Sequence, residues 1–459
     1  MSSPLTSLSR VAVLADSDTR WKWGALTARR LAPEATVDGL LLRGRATPTP
    51  RQLAEVGVTV DELREVTVAE FLAVAGDRNR YEMVVLACVG GAVQALLHGV
   101  AHRQRHLAGT ARPVLVTGYV GVVYEKLADG LLLRHGADVV LANSRHDAER
   151  FREVYAGVGV DPEPVTECAL PFLDGTPAVA AGPHRTEPAQ PEPAGEQRPF
   201  TLTFAVQPSV PAHRADRAYL LRRAADHARA HPEREVLVKL RSRPGEHTTH
   251  IEETPYQRLA ARLPGGLPPN CRLVYGNMGE VLDRTDLLVT VSSTAALESL
   301  HRGVPTAVLT DLGIREALGN HHFLGSGCLA SWSELDQGHL PKADPEWTAR
   351  QGVCPRAEQP DAYAHAFDRA RERVARLAAR PQLPPPAPYY TPTTAPAYLP
   401  PLLARYQLAP DGAPLAPRAP DGAPGLSRAL RGAVRGAARG AYRHGVQRVA
   451  PVIRRMGEL

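Results

Sequence analysis

The sequence predicts an α/β protein built from two doubly wound, Rossmann-like domains that face each other across a cleft. Three observations predict it. At 459 residues the chain is too long for one hydrophobic core, so two domains are the starting expectation. Short apolar runs alternate with longer helix-like stretches through residues 10–175 and again from 199 to 380. Between the blocks, residues 176–198 are rich in Pro, Glu, Ala and Gly (Glu187-Pro188-Ala189-Gln190-Pro191-Glu192-Pro193), which is a linker composition.

The strand candidates of the first block are Val11–Ala15, Val37–Leu42, Met83–Ala87, Val114–Thr117 and Val139–Ala142. Most are continuous apolar runs, as strands covered by helices on both faces should be. The second block offers Leu202–Val206, Val236–Leu240, Leu273–Tyr275, Leu287–Val291 and Thr306–Leu309, and then Asp361 to Arg380 reads as a helix. The expected domains are therefore 1–175 and 199–380. Residues 381–424 are Pro-rich, expected to be extended or disordered, and repeat Asp-Gly-Ala-Pro at 411 and 421. Residues 425–459 read as a basic amphipathic helix as far as Val449. Arg428, Arg431, Arg435, Arg439 and Arg443 share one face, opposite Leu426, Leu430 and three alanines. Gly432, Gly436 and Gly440 each cost ~1 kcal/mol relative to Ala, so this helix is marginal alone. An anionic membrane surface would add ~1 kcal/mol per basic residue. A solvated basic tail is the other reading.

The net charge of +6 belongs to that tail. Residues 425–459 hold eight Arg and one acid, Glu458; taking these from totals of 54 basic and 48 acidic residues leaves 46 and 47. A near-neutral body argues against a nucleic-acid-binding core, which carries its own basic face. No apolar run approaches the ~20 residues of a membrane span. The stretch Met1 to Arg10 lacks a charged region followed by an apolar core. Cys88, Cys168, Cys271, Cys328 and Cys354 are scattered and form no C-x-x-C, which fits a reducing cytoplasm and argues against disulfides or a zinc site. The expected location is the cytoplasm, with the tail as a candidate for peripheral attachment to the inner face of the membrane.

The densest motif is Val291 to Pro305, Val-Ser-Ser-Thr-Ala-Ala-Leu-Glu-Ser-Leu-His-Arg-Gly-Val-Pro. It follows a buried strand, opens a helix with Ser292, Ser293 and Thr294, and ends that helix at Gly303 before the next strand. Free N–H groups at such a turn suit an anion. Glu298, one turn further in, suits a ribose diol, whose hydroxyls donate to a carboxylate. An ordinary βαβ unit with a capped helix would carry the same residues.

This order of strand, small polar turn, helix with one Glu, Gly-x-Pro and strand resembles the donor-nucleotide site of GT-B glycosyltransferases. The lipid II N-acetylglucosaminyltransferase and many retaining transferases also place a Glu ahead of a Gly-x-Pro. The paired Ser292-Ser293 is similar to the Ser-Ser motif of bacterial sialyl- and polysialyltransferases. The whole chain resembles an actinobacterial family of GT-B-type glycosyltransferases that sit beside cell-wall glycopolymer functions. The motif match covers about fifteen residues and the architectural match roughly residues 10 to 380. The resemblance implies a metal-independent enzyme whose nucleotide sugar is a substrate, with no cofactor. Its acceptor would be a lipid-linked or growing cell-surface polysaccharide.

On that reading Lys239, Arg241, Arg243 and His247, at and after the end of a strand, join Ser292, Ser293, Thr294 and Glu298 in binding the donor. Arg and Lys suit phosphate charge that must be neutralised as the glycosyl bond breaks. A solvated basic loop is the alternative. Sialyltransferase-type families carry a His-Pro in this segment; here His231-Pro232 falls before the strand instead.

In inverting GT-B enzymes a carboxylate of the acceptor domain deprotonates the attacking hydroxyl. Asp16 and Asp18, at the end of the first strand, suit that role, and their mutual repulsion would favour a base of raised pKa. Capping of the next helix by Asp18 or Ser17 explains the same residues equally well. Glu125 is the second choice of base. Gly90, Gly91 and Tyr124 are acceptor-side candidates, the glycines because they permit close backbone approach. Trp21 and Trp23 read as helix–sheet packing more readily than as sugar platforms. Asn143-Ser144-Arg145 reads as a helix cap. His321-His322 lacks partners at metal-ligand spacing and reads as loop. Two other readings stand beside the transferase: a nucleotide-sugar 2-epimerase of the same fold, and a non-catalytic scaffold in a glycopolymer assembly complex.

Overall fold

In the computed structural model the described residues are 8–415 apart from 45, 76–77, 107–110, 123–125, 175–197, 244–245, 247–251 and 356–360. The first sheet comprises β1 (Arg10–Ala15), β2 (Thr36–Leu42), β3 (Glu62–Val66), β4 (Met83–Ala87), β5 (Val114–Gly118), β6 (Val139–Ala142) and β7 (Val165–Glu167). All are parallel, in the order β3-β2-β1-β4-β5-β6-β7. The second comprises β8 (Thr201–Ala205), β9 (Glu235–Lys239), β10 (Cys271–Val274), β11 (Leu287–Thr290), β12 (Thr306–Leu309) and β13 (Leu329–Ala330), also parallel, in the order β10-β9-β8-β11-β12-β13. Each sheet has one point where strand order reverses: β1 beside β4, and β8 beside β11. At such points the loops leave in opposite directions and open a crevice at the carboxyl ends of the strands.

The central strands are apolar because both faces are covered. β4, β5, β6, β11 and β12 are buried throughout. The helix Asp18–Leu31 lies close on β1 and β4 because Gly24 has no side chain; a Cβ there would sit 2.6 Å from Cβ of Ala87 and 2.8 Å from Cγ1 of Val13. Trp21 and Trp23 of this helix are each buried. Trp21 fills the space over Gly39, and Trp23 packs on Gly118 and donates from Nε1 to Asn143 at 3.3 Å. Both indoles are packing residues. Ser144 caps the helix Arg145–Gly157 by accepting from the N–H of Asp147 at 3.0 Å.

Three strands differ from the sequence expectation. β3 is a polar edge strand (Glu-Leu-Arg-Glu-Val), and β7 and β13 are only three and two residues long. The single helix expected over 361–380 is two, Ala362–His365 and Asp368–Ala378. Both pack mainly on the first domain, although the Tyr363 ring also lies 4.8 Å from that of His301 in the second. Tyr363 donates to the carbonyl of Leu170 at 2.5 Å, Arg371 to that of Arg30 at 2.7 Å, and Arg373 to that of Asp138. The chain thus crosses back after the second sheet, and residues 362–378, expected with the second domain, lie mainly against the first.

The Pro-rich stretch is also corrected, because 381–415 is folded on the first domain. Its carbonyls, which have no ladder to join, are met by side chains. Arg112 donates to Pro384 at 2.7 Å, Gln104 to Leu383 at 2.6 Å, and His98 bonds the carbonyl of Tyr390 at 2.9 Å. A helix, Leu399–Arg405, then buries Leu399, Leu402 and Leu403 in the first-domain core. Fixed proline φ angles lower the entropy lost in ordering such a strap. The linker 176–197, residues 416–424 and the basic tail 425–459 lie outside the described residues. Among the described residues no helix is long and apolar enough to cross a membrane.

Candidate active site

Both crevices open into the space between the sheets. There, a chamber of about 230 Å³ takes its walls from both domains. Asp18, Lys22 and Glu55 come from the first; Lys239, Arg241, Ser293, Thr294 and Glu298 from the second. Strand ends explain the convergence. Asp18 follows β1 by three residues, Arg241 follows β9 by two, and the Ser292 turn follows β11 directly.

The charges pair across the cleft. Arg241 donates to both carboxylate oxygens of Asp18, at 2.8 and 3.3 Å. Lys22 Nζ lies 3.2 Å from Glu298 Oε2 and 4.3 Å from the centre of the Phe172 ring. On the rim Arg51 pairs with Glu246, while Glu55 accepts from the N–H of Gly276 at 2.9 Å. Asn277 donates to the carbonyl of Glu55 at 3.0 Å. Among the described residues Lys239 forms no ion pair; its Nζ donates to the carbonyl of Leu240 at 2.7 Å. With the side chain buried, the Lys239 ammonium is pushed down to about 8. Glu298 is 4% exposed and sits fourth in a seven-residue helix, Ala295–His301.

The hydroxyl turn is built differently from a simple cap. Ser292 is tied down, its Oγ donating to Leu318 at 2.6 Å and its N–H to Gln207 at 3.0 Å. Ser293 Oγ accepts from the N–H of Ala295 at 3.2 Å. Thr294 occupies the cap position but makes no side-chain cap bond.

A larger chamber, about 760 Å³, adjoins the first through Thr19, Val120, Arg241 and Thr294. Gly90 and Gly91 line it from the start of the helix Gly90–His106, with Ser292 opposite. Arg134 stands in its wall, donating to the carbonyl of Gly118 at 2.9 Å and stacked 4.1 Å from the Tyr119 ring. Tyr398 of the Pro-rich strap completes it.

Two expected site residues lie outside the chambers. Asp16 lines neither chamber; it accepts from Arg20 at 2.8 Å and from the N–H of Val89 at 2.9 Å, holding the β4 loop. Asp16 and Asp18 thus each face a guanidinium, and the repulsion expected between them gives way to two separate ion pairs. Arg243 is exposed outside both chambers, 5.5 Å from the Tyr275 ring. His247, Tyr124 and Glu125 lie outside the described residues. Sequence reasoning missed Lys22, Glu55, Asn277 and Tyr398. Lys22 lay in view between the two tryptophans, but its partner is 276 positions away.

Among the described residues His227, His231 and Asp336 bring three metal-type ligand atoms within 4.8 Å of one another. Arg223 already holds that carboxylate at 2.7 Å, and Arg234 faces the Nε2 of His227 at 3.4 Å. Two guanidiniums supply the positive charge a cation would bring, so the cluster is an ion-pair network.

A family carrying the description "Putative glycosyltransferase (DUF6716)" matches residues 11–369. No curated protein matches the chain. Solved structures similar to it include UDP-N-acetylglucosamine 2-epimerase from Rickettsia bellii, at 12% identity over 82% of this chain and 96% of that one, TM-score 0.48. A UDP-glucosyltransferase from Polygonum tinctorium matches at 13% over 81% and 94%, TM-score 0.44. The UDP-GlcNAc 2-epimerase from Neisseria meningitidis, bound to UDP-GlcNAc, matches at 9% over 79% and 99%, TM-score 0.44. Two parallel doubly wound sheets about a cleft are the GT-B arrangement.

Proposed function

The chain belongs to this glycosyltransferase family, and on that premise we propose that it moves a sugar from a nucleotide-sugar donor to a hydroxyl of a cell-surface polysaccharide or lipid-linked acceptor. The observation that carries the reading is the smaller chamber, where Lys22, Lys239 and Arg241 stand around Glu298 and Asp18. Glu298 receives the ribose hydroxyls. Lys239 and Arg241 meet the donor phosphates and stabilise the charge that grows on them as the glycosyl bond breaks. The larger chamber, with Gly90 and Gly91 in its wall, takes the acceptor.

The ion pair between Arg241 and Asp18 gives this site an order of events. A donor phosphate competes with Asp18 for the guanidinium. Once displaced, the Asp18 carboxylate is left in the smaller chamber beside Thr19 and Arg241, which line both chambers, and there it accepts the proton of an acceptor hydroxyl reaching in from the larger chamber. The donor-phosphate charge is met by side chains, with no metal in the scheme. The basic tail holds the protein against an anionic membrane surface, close to a lipid-linked acceptor.

Titration of the protein with CMP, UDP, GDP and CDP tests the donor assignment. One nucleotide should bind tightest, and Glu298→Ala should weaken it. Absence of binding by all four would overturn the assignment. Incubation of the matching nucleotide sugar without acceptor then separates the enzymes: slow hydrolysis fits a transferase, whereas a 2-epimer as product would replace it.

A further inference from the structure

A third cavity, of about 380 Å³, shares no lining residue with either chamber. Three segments meet around it. The helix Arg145–Gly157 of the first domain contributes His146 and Arg150. The 3-10 turn Asn320–Phe323 of the second contributes His321 and His322. The helix Pro345–Arg350, with the residue after it, contributes Trp347, Arg350 and Gln351.

The wall is basic and lacks counter-charge. Among the described residues no Asp or Glu lines the cavity. Glu149, beside it on the first-domain helix, is taken by Arg350 at 2.7 Å. Arg150 makes no ion pair among the described residues. His322 stands between two rings, 6.1 Å from His146 and 6.0 Å from Trp347. Its imidazole has the side chain of Gln351, 3% exposed, as a weak hydrogen-bond partner, which favours the charged form. Burial, then the charges of His146, Arg150 and His321, push the His322 imidazole down to about 4. His146 is lowered too, by burial and then by Arg150 and Arg350, against weaker opposite pulls from Glu149 and Glu153. Arg150 and Arg350 stand beside imidazoles held in the neutral form, and an anion among them would be met by guanidinium charge and would draw the imidazoles toward their charged, doubly donating form.

We propose that this cavity is a second binding site, for a phosphate group carried on a sugar. A guanidinium fork and imidazole N–H groups match a tetrahedral oxyanion. The Trp347 indole offers an apolar face to the sugar ring. The volume falls within the ~300–1,000 Å³ range of small-ligand sites. Because its walls come from both domains, a ligand here bridges the first-domain helix to the second. The proposal stands apart from the donor assignment, since none of its residues touches the cleft.

Calorimetric titration of the full chain with glucose 1-phosphate, inorganic phosphate and glucose tests it. Glucose 1-phosphate should bind the wild type and Glu298→Ala alike, and glucose should not bind. Arg150→Ala should bind the sugar phosphate at least ~10-fold more weakly, as expected for a lost charge-assisted hydrogen bond. Arg150→Lys should recover part of the loss. Equal binding by the wild type and Arg150→Ala would overturn the site, as would failure of both phosphate probes to bind. Loss of binding in Glu298→Ala with none in Arg150→Ala would send the phosphate to the cleft and overturn it as well. Inorganic phosphate binding as tightly as the sugar phosphate would overturn the sugar component.

Discussion

The two crevices come from the same topology and carry different side chains. At the end of the first sheet, where β1 meets β4, stand Asp16, Ser17 and Asp18. At the end of the second, where β8 meets β11, stand Gln207, Ser292 and Ser293, with Lys239 and Arg241 one strand away. Each domain brings both signs to the cleft: Asp18 of the first meets Arg241 of the second, and Lys22 of the first meets Glu298 of the second. Half-buried pairs of this kind give up water in exchange for one another, which makes them replaceable by a ligand that offers the same charge. The strand end delivers the residue; the opposite domain decides whether it is free to act.

Asp18 and Asp16 test that contrast with the largest effect. Asp18→Asn should lower turnover by ~10²–10⁴-fold, the worth of a general base. Its donor affinity should hold or tighten, since Arg241 loses a competitor. Asp16→Asn should leave most of the turnover, because Asp16 holds a loop outside both chambers. Steady-state kinetics on the two variants separate these outcomes, and equal large losses would erase the distinction between the neighbours.

Glu298→Ala comes next. It removes an acceptor that serves charged hydrogen bonds worth ~1.5–3 kcal/mol, so nucleotide affinity should fall about 10- to 100-fold. Glu298→Gln should lose less, because its amide oxygen still accepts.

A smaller effect follows pH. Lys239 lies near 8 in the free protein, below the usual value for a lysine, so its charge is present below pH 8 and lost above it. A bound diphosphate favours the charged form and raises that value. Nucleoside diphosphate affinity should therefore be greatest below pH 8 and fall above it, by up to about tenfold per pH unit until the bound-state value is passed. Lys239→Met should flatten this limb. A limb that survives in the variant would assign the titration elsewhere.

The smallest effect on the cleft belongs to the tail. Removing 425–459 should leave nucleotide affinity unchanged and abolish binding to anionic vesicles, which salt should also weaken. Vesicle binding by the truncated chain equal to that of the full chain would remove the membrane role.

The alternation of apolar runs made ten strands legible, because strands covered on both faces cannot be polar. β3 escaped because an edge strand needs no apolar face, and β7 and β13 because two or three residues make no pattern. The strap over 381–415 escaped because its carbonyls are satisfied by distant side chains such as Arg112 and Gln104, which composition does not reveal. In the site, Asp18, Lys239, Arg241, Ser293 and Glu298 could each be named from the sequence, and all five line the smaller chamber. Their pairing could not. Whether Arg241 faces Asp18 or solvent depends on how two domains meet, and Arg243, two residues on, turns away from the cleft.

The central claim is that the smaller chamber reads a nucleotide's ribose through Glu298, and one comparison tests it most directly. Affinities of the preferred nucleotide and its 2′-deoxyribose form are measured on the wild type and on Glu298→Ala. The wild type should prefer the ribose form and the alanine variant should treat the two alike. Equal discrimination by both proteins would make the Glu298–Lys22 pair a structural bridge between the domains and would contradict the account.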